Sequence, residues 1–415
     1  MASDKLTSVM IVAGEPSGDS HGAKLVVAMR EIVPDCQFFG CAGPKMRASR
    51  VEAVIKADDL SIVGLPEIAA ALPKFLRVFR QLVRAAEKRK PDVVILVDFP
   101  EFNLKLAKSL KKRGLKVVYY ISPQLWAWRK YRIRTIRKYV DLVISILPFE
   151  KDWYAEHGVN HVEYVGSPLA REVHADLSKG DFCEKHGLDP NRPIVSLLPG
   201  SRHKEIVKIL PELLRTAALM SLPTAVGGGL TQQGDNAHLQ SPATAGGTDT
   251  PKIQFIVAFA SDRHAGEVED AMNLLTEADR HGVGNILSIF GETYNALQAS
   301  DAAAVTSGTA TLETGIIGTP MAIVYKTSGF NYKLMRPMID VEHFGLINLI
   351  AGERIAKELI QDDFNAEGLA KELYRLLDSA ENIRVRKQLK IASDKLGHGG
   401  ASKRAAEAIL RTLTA

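Results

Sequence analysis

The sequence is poor in cysteine, and it has no long run of apolar residues. Only three cysteines occur in 415 residues, Cys36, Cys41 and Cys183, and no C-x-x-C pair is present. An odd number of cysteines without that spacing argues against a disulfide framework and against a zinc site. A transmembrane helix needs about 20 consecutive apolar residues. Because no such stretch is found, we expect any contact with a membrane to be peripheral.

Signatures of metal sites and of the common nucleotide-binding loops are also missing. The eleven histidines are scattered and no carboxylate cluster accompanies them, so we predict neither a metal nor another cofactor. The first strand is followed by neither G-x-G-x-x-G nor a Walker A pattern. The loops that are present must therefore be interpreted from their place between strands and helices.

The composition is that of a globular protein with an excess of basic residues. Hydrophobic residues make up 46% of the chain and charged residues 24%, as in folded rather than disordered proteins. The formal net charge is +5, and the basic residues concentrate between Lys74 and Lys138. A basic surface suits nucleic acid, an anionic membrane or phosphorylated substrates, or it is simply a solvated face.

Short apolar strands alternate with helical patterns in two successive halves of the chain. The predicted strands are residues 9–13, 93–97, 117–121, 142–146 and 162–165, followed by 194–198, 253–259, 286–289, 302–305 and 321–325. Continuous apolar strands separated by helices predict a parallel sheet covered on both faces. We therefore expect an α/β protein with two Rossmann-like, doubly wound domains facing a cleft, the GT-B architecture.

Changes in composition indicate the domain boundaries. We predict one Rossmann-like domain over residues 1–175, a second over residues 190–380, and C-terminal helices over residues 381–415 that pack on the N-terminal domain. Residues 225–251 interrupt the second domain with a stretch rich in Gly, Thr, Gln and Ala. With few large apolar residues, this stretch is predicted to be a disordered surface insertion.

Two strand ends in the first half carry candidate catalytic residues. The segment GEPSGD follows the first strand, where a glycine-containing turn before a helix suits an anionic ligand or is merely a capped turn. Asp98 follows residues 93–97, so it is expected at the carboxyl end of a buried strand. There it either serves as a general base for an acceptor hydroxyl or caps the next helix. Asn103 is expected to orient the acceptor or Asp98.

A third strand end, SPQLWAWR at residues 122–129, combines two tryptophans with a run of basic residues. Aromatic faces beside cations suit sugar rings, phosphates or nucleic acid. Tryptophans at a helix start are also common packing residues, so both interpretations stay open.

Two strand ends in the second half suit a nucleotide diphosphate. In LPGSR, Arg202 offers a planar fork of donors beside the start of a helix. In SGTATLE, small residues at a helix start leave room for a phosphate, and Glu313 can bind ribose hydroxyls. Because both motifs follow strands of one domain, together they favour a nucleotide-diphosphate site.

Residues 72–88 form an amphipathic helical pattern. At 100° per residue, apolar side chains such as Leu72 and Phe79 share one face, and basic side chains such as Arg77 and Arg80 share the other. A basic amphipathic helix with aromatic residues can lie in a membrane interface, or it can be a core helix with a solvated back.

Taken in order, GEPSGD, VDFPEFN, YISPQLWAWR, LPFE, LLPGSR and SGTATLE resemble the motifs of bacterial lipid-A-disaccharide synthases. The resemblance runs from Val9 to the C-terminal GHGGAS and omits only the insertion at residues 225–251. It implies an inverting, metal-independent hexosyltransferase of GT-B fold. The implied reaction moves 2,3-diacylglucosamine from UDP to 2,3-diacylglucosamine 1-phosphate, forming the β-1,6-linked lipid A disaccharide 1-phosphate and UDP. The implied location is the cytoplasmic face of the inner membrane, with the first domain holding the acceptor and the second the UDP-sugar.

The resemblance also implies roles for individual residues. Asp98 matches the catalytic acidic position, and Glu15 is expected to assist it. The expected substrate- and UDP-binding residues are Gly14, Ser17, Gly18, Asn103, Ser122, Gln124, Gly200, Ser201, Arg202, Ser307, Gly308, Thr309, Glu313 and Asn348. The amphipathic pattern of residues 72–88, taken with the acylated substrates, predicts the membrane contacts Leu72, Phe75, Leu76, Phe79, Arg77 and Arg80. Ser167 stands where the family usually has His, and Ile347 where Pro is usual, which weakens the expectation for Asn348.

Other functions share parts of this pattern. A UDP-N-acetylglucosamine 2-epimerase or another GT-B transferase has the same architecture, and the epimerase would convert UDP-N-acetylglucosamine without an acceptor. A non-enzymatic nucleic-acid-binding protein would use the basic stretch after Trp126, with salt-sensitive binding and no affinity for UDP. We favour the synthase, with the two acylated sugars and the membrane surface as partners and no nucleic acid. The sequence leaves a homodimer open.

Overall fold

The computed structural model describes residues 8–59, 68–221, 253–283, 286–328 and 342–414. The predicted insertion at residues 225–251 lies outside these ranges. The chain divides into two compact units, Met1–Pro168 with Leu396–Ala415, and Leu169–Lys395. The N-terminal part of the first unit thus ends at Pro168, whereas we predicted a boundary at residue 175. Of the predicted C-terminal helical region, residues 381–415, only Leu396–Ala415 belongs to the first unit.

Parallel strands alternate with helices along both units. The strands are β1 Ser8–Ala13, β2 Gln37–Ala42, β3 Glu52–Lys56, β4 Val93–Val97, β5 Val117–Tyr120, β6 Leu142–Ser145, β7 Val162–Tyr164, β8 Ile194–Leu198, β9 Gln254–Phe259, β10 Leu287–Phe290, β11 Ala302–Thr306, β12 Met321–Tyr325 and β13 Glu358–Ile360. The helices are α1 Pro16–Ile32, α2 Pro44–Ala48, α3 Ile68–Arg89, α4 Pro100–Lys111, α5 Ile133–Tyr139, α6 Glu150–Glu156, α7 Leu169–Glu172, α8 Lys179–His186, α9 His203–Ser221, α10 Gly266–Asn273, α11 Glu277–Val283, α12 Thr293–Ala299, α13 Thr309–Ile317, α14 Leu346–Ala351, α15 Ala366–Leu377, α16 Ser379–Asp394 and α17 Ala401–Thr414.

The first unit contains a seven-stranded sheet in the order β3-β2-β1-β4-β5-β6-β7. The strand pairs are parallel throughout. Because side chains alternate along β1, Val9 and Ile11 pack with residues of α1 and α17, and Met10 packs on the opposite face with residues of α3 and α4. The sheet order reverses between β1 and β4, and ligands of such sheets bind beyond the carboxyl ends of the strands at that point.

The second unit repeats this arrangement with six strands in the order β10-β9-β8-β11-β12-β13. Its strands are also parallel, and the order reverses between β8 and β11. Helix α16 packs on α13, α14 and α15 of this unit, whereas α17 packs on α1 of the first. The predicted α/β class with two doubly wound domains is therefore confirmed.

None of the helices within the described ranges is long and apolar enough to cross a membrane.

Candidate active site

Asp98 lies at the switch point of the first sheet. It follows β4, whose last residue Val97 pairs with Ala13 at the end of β1, so the loops carrying Asp98 and Glu15 are neighbours. The Asp98 side chain is half-buried, whereas Glu15 is exposed. Burial, and next the negative charge of Glu15, raise the pKa of Asp98 to about 6, while a hydrogen bond from the Phe99 amide acts in the opposite direction. The loop therefore holds a carboxyl group that is more basic than an ordinary aspartate.

The glycines of GEPSGD allow close packing around this carboxyl group. A Cβ atom on Gly14 would lie 2.5 Å from the Phe99 ring, and one on Gly18 would lie 3.4 Å from the Cβ atom of Ala13. Ser17 is exposed in the first turn of α1. The two glycines thus bring the start of α1 against the sheet and leave Ser17 free for a ligand.

Asp19, the last residue of GEPSGD, has a structural role. Its carboxylate accepts hydrogen bonds from the Lys45 and Met46 amides at 2.8 and 3.1 Å. It therefore caps α2, a helix distant in sequence, and not the helix in which it lies.

Asn103 is fully buried beneath the same loop. Its Nδ2 atom donates to the carbonyl oxygens of Val97 at 3.2 Å and of Asp98 at 2.7 Å. Of the two roles predicted for it, the contacts are those of a residue that orients the Asp98 backbone.

The SPQLWAWR loop contacts two neighbouring elements. The Ser122 hydroxyl donates to the Tyr154 hydroxyl at 2.9 Å, and the Trp126 indole donates to Glu150 at 3.0 Å. Trp126 is buried, so it packs and does not form an open platform for a sugar, while Gln124 is exposed.

Basic residues after this loop join it to the Asp98 loop. Arg132 donates to both carboxylate oxygens of Glu101, at 2.5 and 2.6 Å, and Arg129 also pairs with Glu101. The second and third sequence motifs are thus brought together at one end of the sheet.

In the second unit a cavity of about 550 Å³ lies at the ends of β8 and β11. Seven of the residues predicted to bind UDP line it: Gly200, Ser201, Arg202, Ser307, Gly308, Thr309 and Glu313. The volume is in the range of small-molecule sites. The carboxyl ends of the strands and the N-terminus of α13 make it suitable for an anionic ligand.

The LPGSR loop presents Arg202 at this cavity. The Arg202 side chain is 81% exposed, and its Nη1 atom lies 3.1 Å from Glu205 Oε1. Gly200 has φ +116°, and a Cβ atom there would lie 3.0 Å from Glu205 Oε2, so the turn requires glycine. Among the described contacts, the Arg202 guanidinium donates a hydrogen bond to one carboxylate, that of Glu205. Its other N–H groups can therefore donate to a ligand.

Tyr294 is a cavity residue that sequence reasoning missed. It lines the cavity at the start of α12 and hydrogen-bonds Glu313. Burial raises the pKa of Glu313, and burial together with Glu313 raises the pKa of Tyr294 to about 12. No motif marks Tyr294, since its segment GETYN has neither a glycine pattern nor a charge pattern typical of a phosphate site.

Asn348 does not line the cavity. It is fully buried, and its Nδ2 atom donates to the Ala356 carbonyl and the Glu358 carboxylate at 2.8 and 2.9 Å. Its Oδ1 atom accepts from the Ala356 amide at 2.9 Å. With these bonds the side chain holds the loop before β13, and its role in ligand binding stays a prediction.

The predicted membrane face of α3 is only partly exposed. Phe75 and Phe79 pack on Phe102, with ring centroids at 6.4 and 5.8 Å. Leu76 is 47% exposed, and the neighbouring Arg77 and Arg80 are exposed as well. The placement of the Leu72 side chain lies outside what the structure describes.

Across the described part of the chain, no group of three or more His, Cys, Asp or Glu side chains is placed to hold a metal ion.

Comparison with known proteins agrees with this arrangement. The family model of lipid-A-disaccharide synthetase matches residues 9–225 and 237–412. A lipid-A-disaccharide synthase of Syntrophus aciditrophicus is 40% identical over 399 residues, which cover 96% of each chain. One from Myxococcus xanthus is 38% identical over 406 residues, covering 98% of this chain and 97% of the relative.

Solved structures show the fold alone. A putative UDP-N-acetylglucosamine 2-epimerase from Listeria monocytogenes superposes with a TM-score of 0.60 at 16% identity, covering 98% of this chain and 96% of that one. At such identity the likeness does not separate epimerases from transferases, but it confirms the predicted GT-B architecture. The sequence relatives decide between the alternatives and support a hexosyltransferase. Because the family model and these relatives span nearly the whole chain, the chain belongs to the lipid-A-disaccharide synthetase family.

Proposed function

We propose that the chain transfers 2,3-diacylglucosamine from UDP-2,3-diacylglucosamine to the 6-hydroxyl of 2,3-diacylglucosamine 1-phosphate. The products are the β-1,6-linked disaccharide 1-phosphate and UDP. The observation that carries the proposal is the match to the lipid-A-disaccharide synthetase family over residues 9–225 and 237–412. Asp98 supports it, because its half-buried carboxyl group, with a pKa of about 6, lies at the switch point of the first sheet. A base with that pKa is largely ionised at neutral pH and still accepts a proton readily.

In a single displacement the acceptor oxygen attacks the anomeric carbon while its proton passes to the base. The C–O bond to UDP breaks, and the anomeric configuration inverts. We assign the base to Asp98, and Glu15 maintains its basicity through charge repulsion. Placing the base in the N-terminal domain agrees with an acceptor site on that domain.

We assign the UDP moiety to the cavity of the second domain. Arg202 provides donors for the diphosphate, and the N-terminus of α13 adds a positive dipole. Both interactions strengthen as the departing diphosphate gains charge, so they stabilise the leaving group. Glu313, held by Tyr294, is suited to accept hydrogen bonds from ribose hydroxyls.

The acyl chains of both sugars place this reaction at a membrane surface. We propose peripheral binding to the cytoplasmic face of the inner membrane through α3. Support comes from Leu76, which is exposed among Arg77 and Arg80. An apolar side chain flanked by cations suits an anionic lipid surface.

The direct test is incubation of the purified full chain with both acylated sugars, with mass spectrometry for the disaccharide and UDP. We expect both products in equal amounts, and neither when the acceptor is omitted. Conversion of UDP-N-acetylglucosamine alone to its epimer, without disaccharide formation, would contradict the proposal.

A further inference from the structure

The carbonyl oxygen of Asp98 accepts two side-chain hydrogen bonds. Asn103 Nδ2 donates to it at 2.7 Å, and the Tyr119 hydroxyl donates to it at 2.7 Å from the adjacent strand β5. The Asp98 amide in turn donates to the Tyr120 carbonyl at 3.0 Å. We propose that Tyr119 and Asn103 are positioning residues, which lock the backbone of Asp98 so that its carboxylate points at the acceptor hydroxyl. This inference rests on the proposed role of Asp98 as base.

The backbone here needs such a lock. Asp98 has φ 47° and Phe99 has φ 52°, so two successive residues other than glycine are in the left-handed region. That conformation is unfavourable for residues with a Cβ atom, typically by about 1–3 kcal/mol each, and it persists only where surrounding contacts determine it. The three hydrogen bonds to the Asp98 peptide groups are contacts of this kind.

Tyr119 is suited to a permanent role. It is fully buried, and on β5 it lies opposite Leu96 of β4, two residues before Asp98. Burial, and next the negative charge of Asp98, hold the pKa of Tyr119 well above its usual range. The hydroxyl therefore keeps its proton at neutral pH and can donate a hydrogen bond to the Asp98 carbonyl.

Neither residue is placed to react. Asn103 and Tyr119 are both fully buried, and the described hydrogen bonds of both go to backbone carbonyls. Losing one of them frees a strained backbone and lets the carboxylate swing away from its working position. Since a displacement of about 1 Å can cost roughly 100-fold in rate, the loss should appear in kcat.

The test compares Tyr119→Phe with Asp98→Asn and with the double variant. We expect Tyr119→Phe to lower kcat by about 10- to 100-fold while leaving the dissociation constant of UDP unchanged. In the Asp98→Asn background, assayed at high enzyme concentration, the same change should have no further effect, since no base remains to be positioned. Tyr374→Phe is the matched control, because it also removes a tyrosine bond to a backbone carbonyl, at Met220 in the other domain.

The outcomes separate the two proposals. Wild-type turnover of Tyr119→Phe, or an equal fractional loss in both backgrounds, overturns the positioning role. Wild-type turnover of Asp98→Asn overturns the proposed base instead. If circular dichroism shows that Tyr119→Phe does not fold, Asn103→Ala is used instead, because it removes the other side-chain hydrogen bond to the Asp98 carbonyl. We expect Asn103→Ala to lower kcat in the wild-type background and to have no further effect in the Asp98→Asn background. An equal fractional loss in both backgrounds would overturn the inference.

Discussion

The indole nitrogen of Trp126 donates a 3.0 Å hydrogen bond to the carboxyl group of Glu150, which ties the SPQLWAWR loop to the start of α6. Glu150 is only 1% exposed. Burial raises its pKa to about 8, although hydrogen bonds from Trp126 and from the Leu147 amide favour the ionised form. At neutral pH the LPFE motif therefore carries a largely protonated carboxylic acid inside the first domain.

This burial predicts how stability depends on pH. The pKa of Glu150 is 4.5 in the unfolded chain and about 8 in the folded one. At a pH between these two values, Glu150 is protonated in the folded chain and ionised in the unfolded chain. The contribution of Glu150 is therefore most favourable below pH 4.5 and is lost as the pH rises through about 8. Glu150→Gln, which resembles the neutral acid, should be more stable than the wild type at pH 8 and should not share this decline.

Urea unfolding at several pH values measures the effect. The matched control is Glu163→Gln, because Glu163 forms an ion pair with Arg411 at the surface, where a charge contributes little. A decline between pH 5 and pH 8 that is identical in Glu150→Gln and wild type would show that Glu150 does not hold the proton.

A second prediction concerns the pair of acidic residues at the first switch point. Activity should fall as the pH drops through about 6, because Asp98 must be ionised to act as a base. Glu15→Gln removes a repelling charge and should move this decline to lower pH, while burial of Asp98 remains. A profile of kcat/KM against pH checks the shift. Loss of activity at every pH, with no shift, would identify Glu15 itself as the base.

Arg202→Ala should weaken UDP binding by roughly 1.5–3 kcal/mol, the usual cost of losing a charge-assisted hydrogen bond. Acceptor binding should change less. Arg215→Ala is the control, since Arg215 pairs with Glu212 at 3.2 Å within helix α9, which begins just after Arg202. Unchanged UDP affinity in calorimetry would place the diphosphate elsewhere.

For helix α3, Leu76→Ser should reduce co-sedimentation with anionic liposomes and leave the melting temperature nearly unchanged. Leu76 is 47% exposed, so little burial is lost on substitution. Phe79→Ser should instead destabilise the fold, because Phe79 packs on Phe102. A large fall in melting temperature for Leu76→Ser, or full retention of liposome binding, would contradict a lipid-facing role.

The repeating apolar strands were sufficient to predict the two parallel sheets. The segments that form β2, β3 and β13 were not predicted. β3 reads EAVIK and β13 reads ELI, short edge strands with few fully buried residues, so their hydrophobic signal is weak. β2 contains Gly40, and glycine lowers the strand propensity of a segment. In the structure Gly40 is needed because the Ile11 carbonyl approaches it too closely for a Cβ atom.

The candidate site was predictable where its chemistry lies at strand ends. Asp98 follows β4 directly, Arg202 lies in the loop after β8, and Glu313 lies in α13 after β11, so the sheet topology determines where they lie. Tyr119 and Tyr294 depend instead on contacts between segments distant in sequence, which no local pattern records. Asn348 holds the loop before β13 through its own hydrogen bonds, and no local pattern separates that role from ligand binding, so its ligand contact stays a prediction.

The most direct test of the central claim is the turnover of Asp98→Asn with both acylated sugars at saturation, followed by mass spectrometry of the disaccharide. The substitution removes the base and changes little volume, so UDP affinity and the melting temperature should match the wild type. We predict a loss of turnover of about 10²- to 10⁴-fold, the usual contribution of a general base. Turnover equal to that of the wild type would exclude Asp98 as the base and contradict the account.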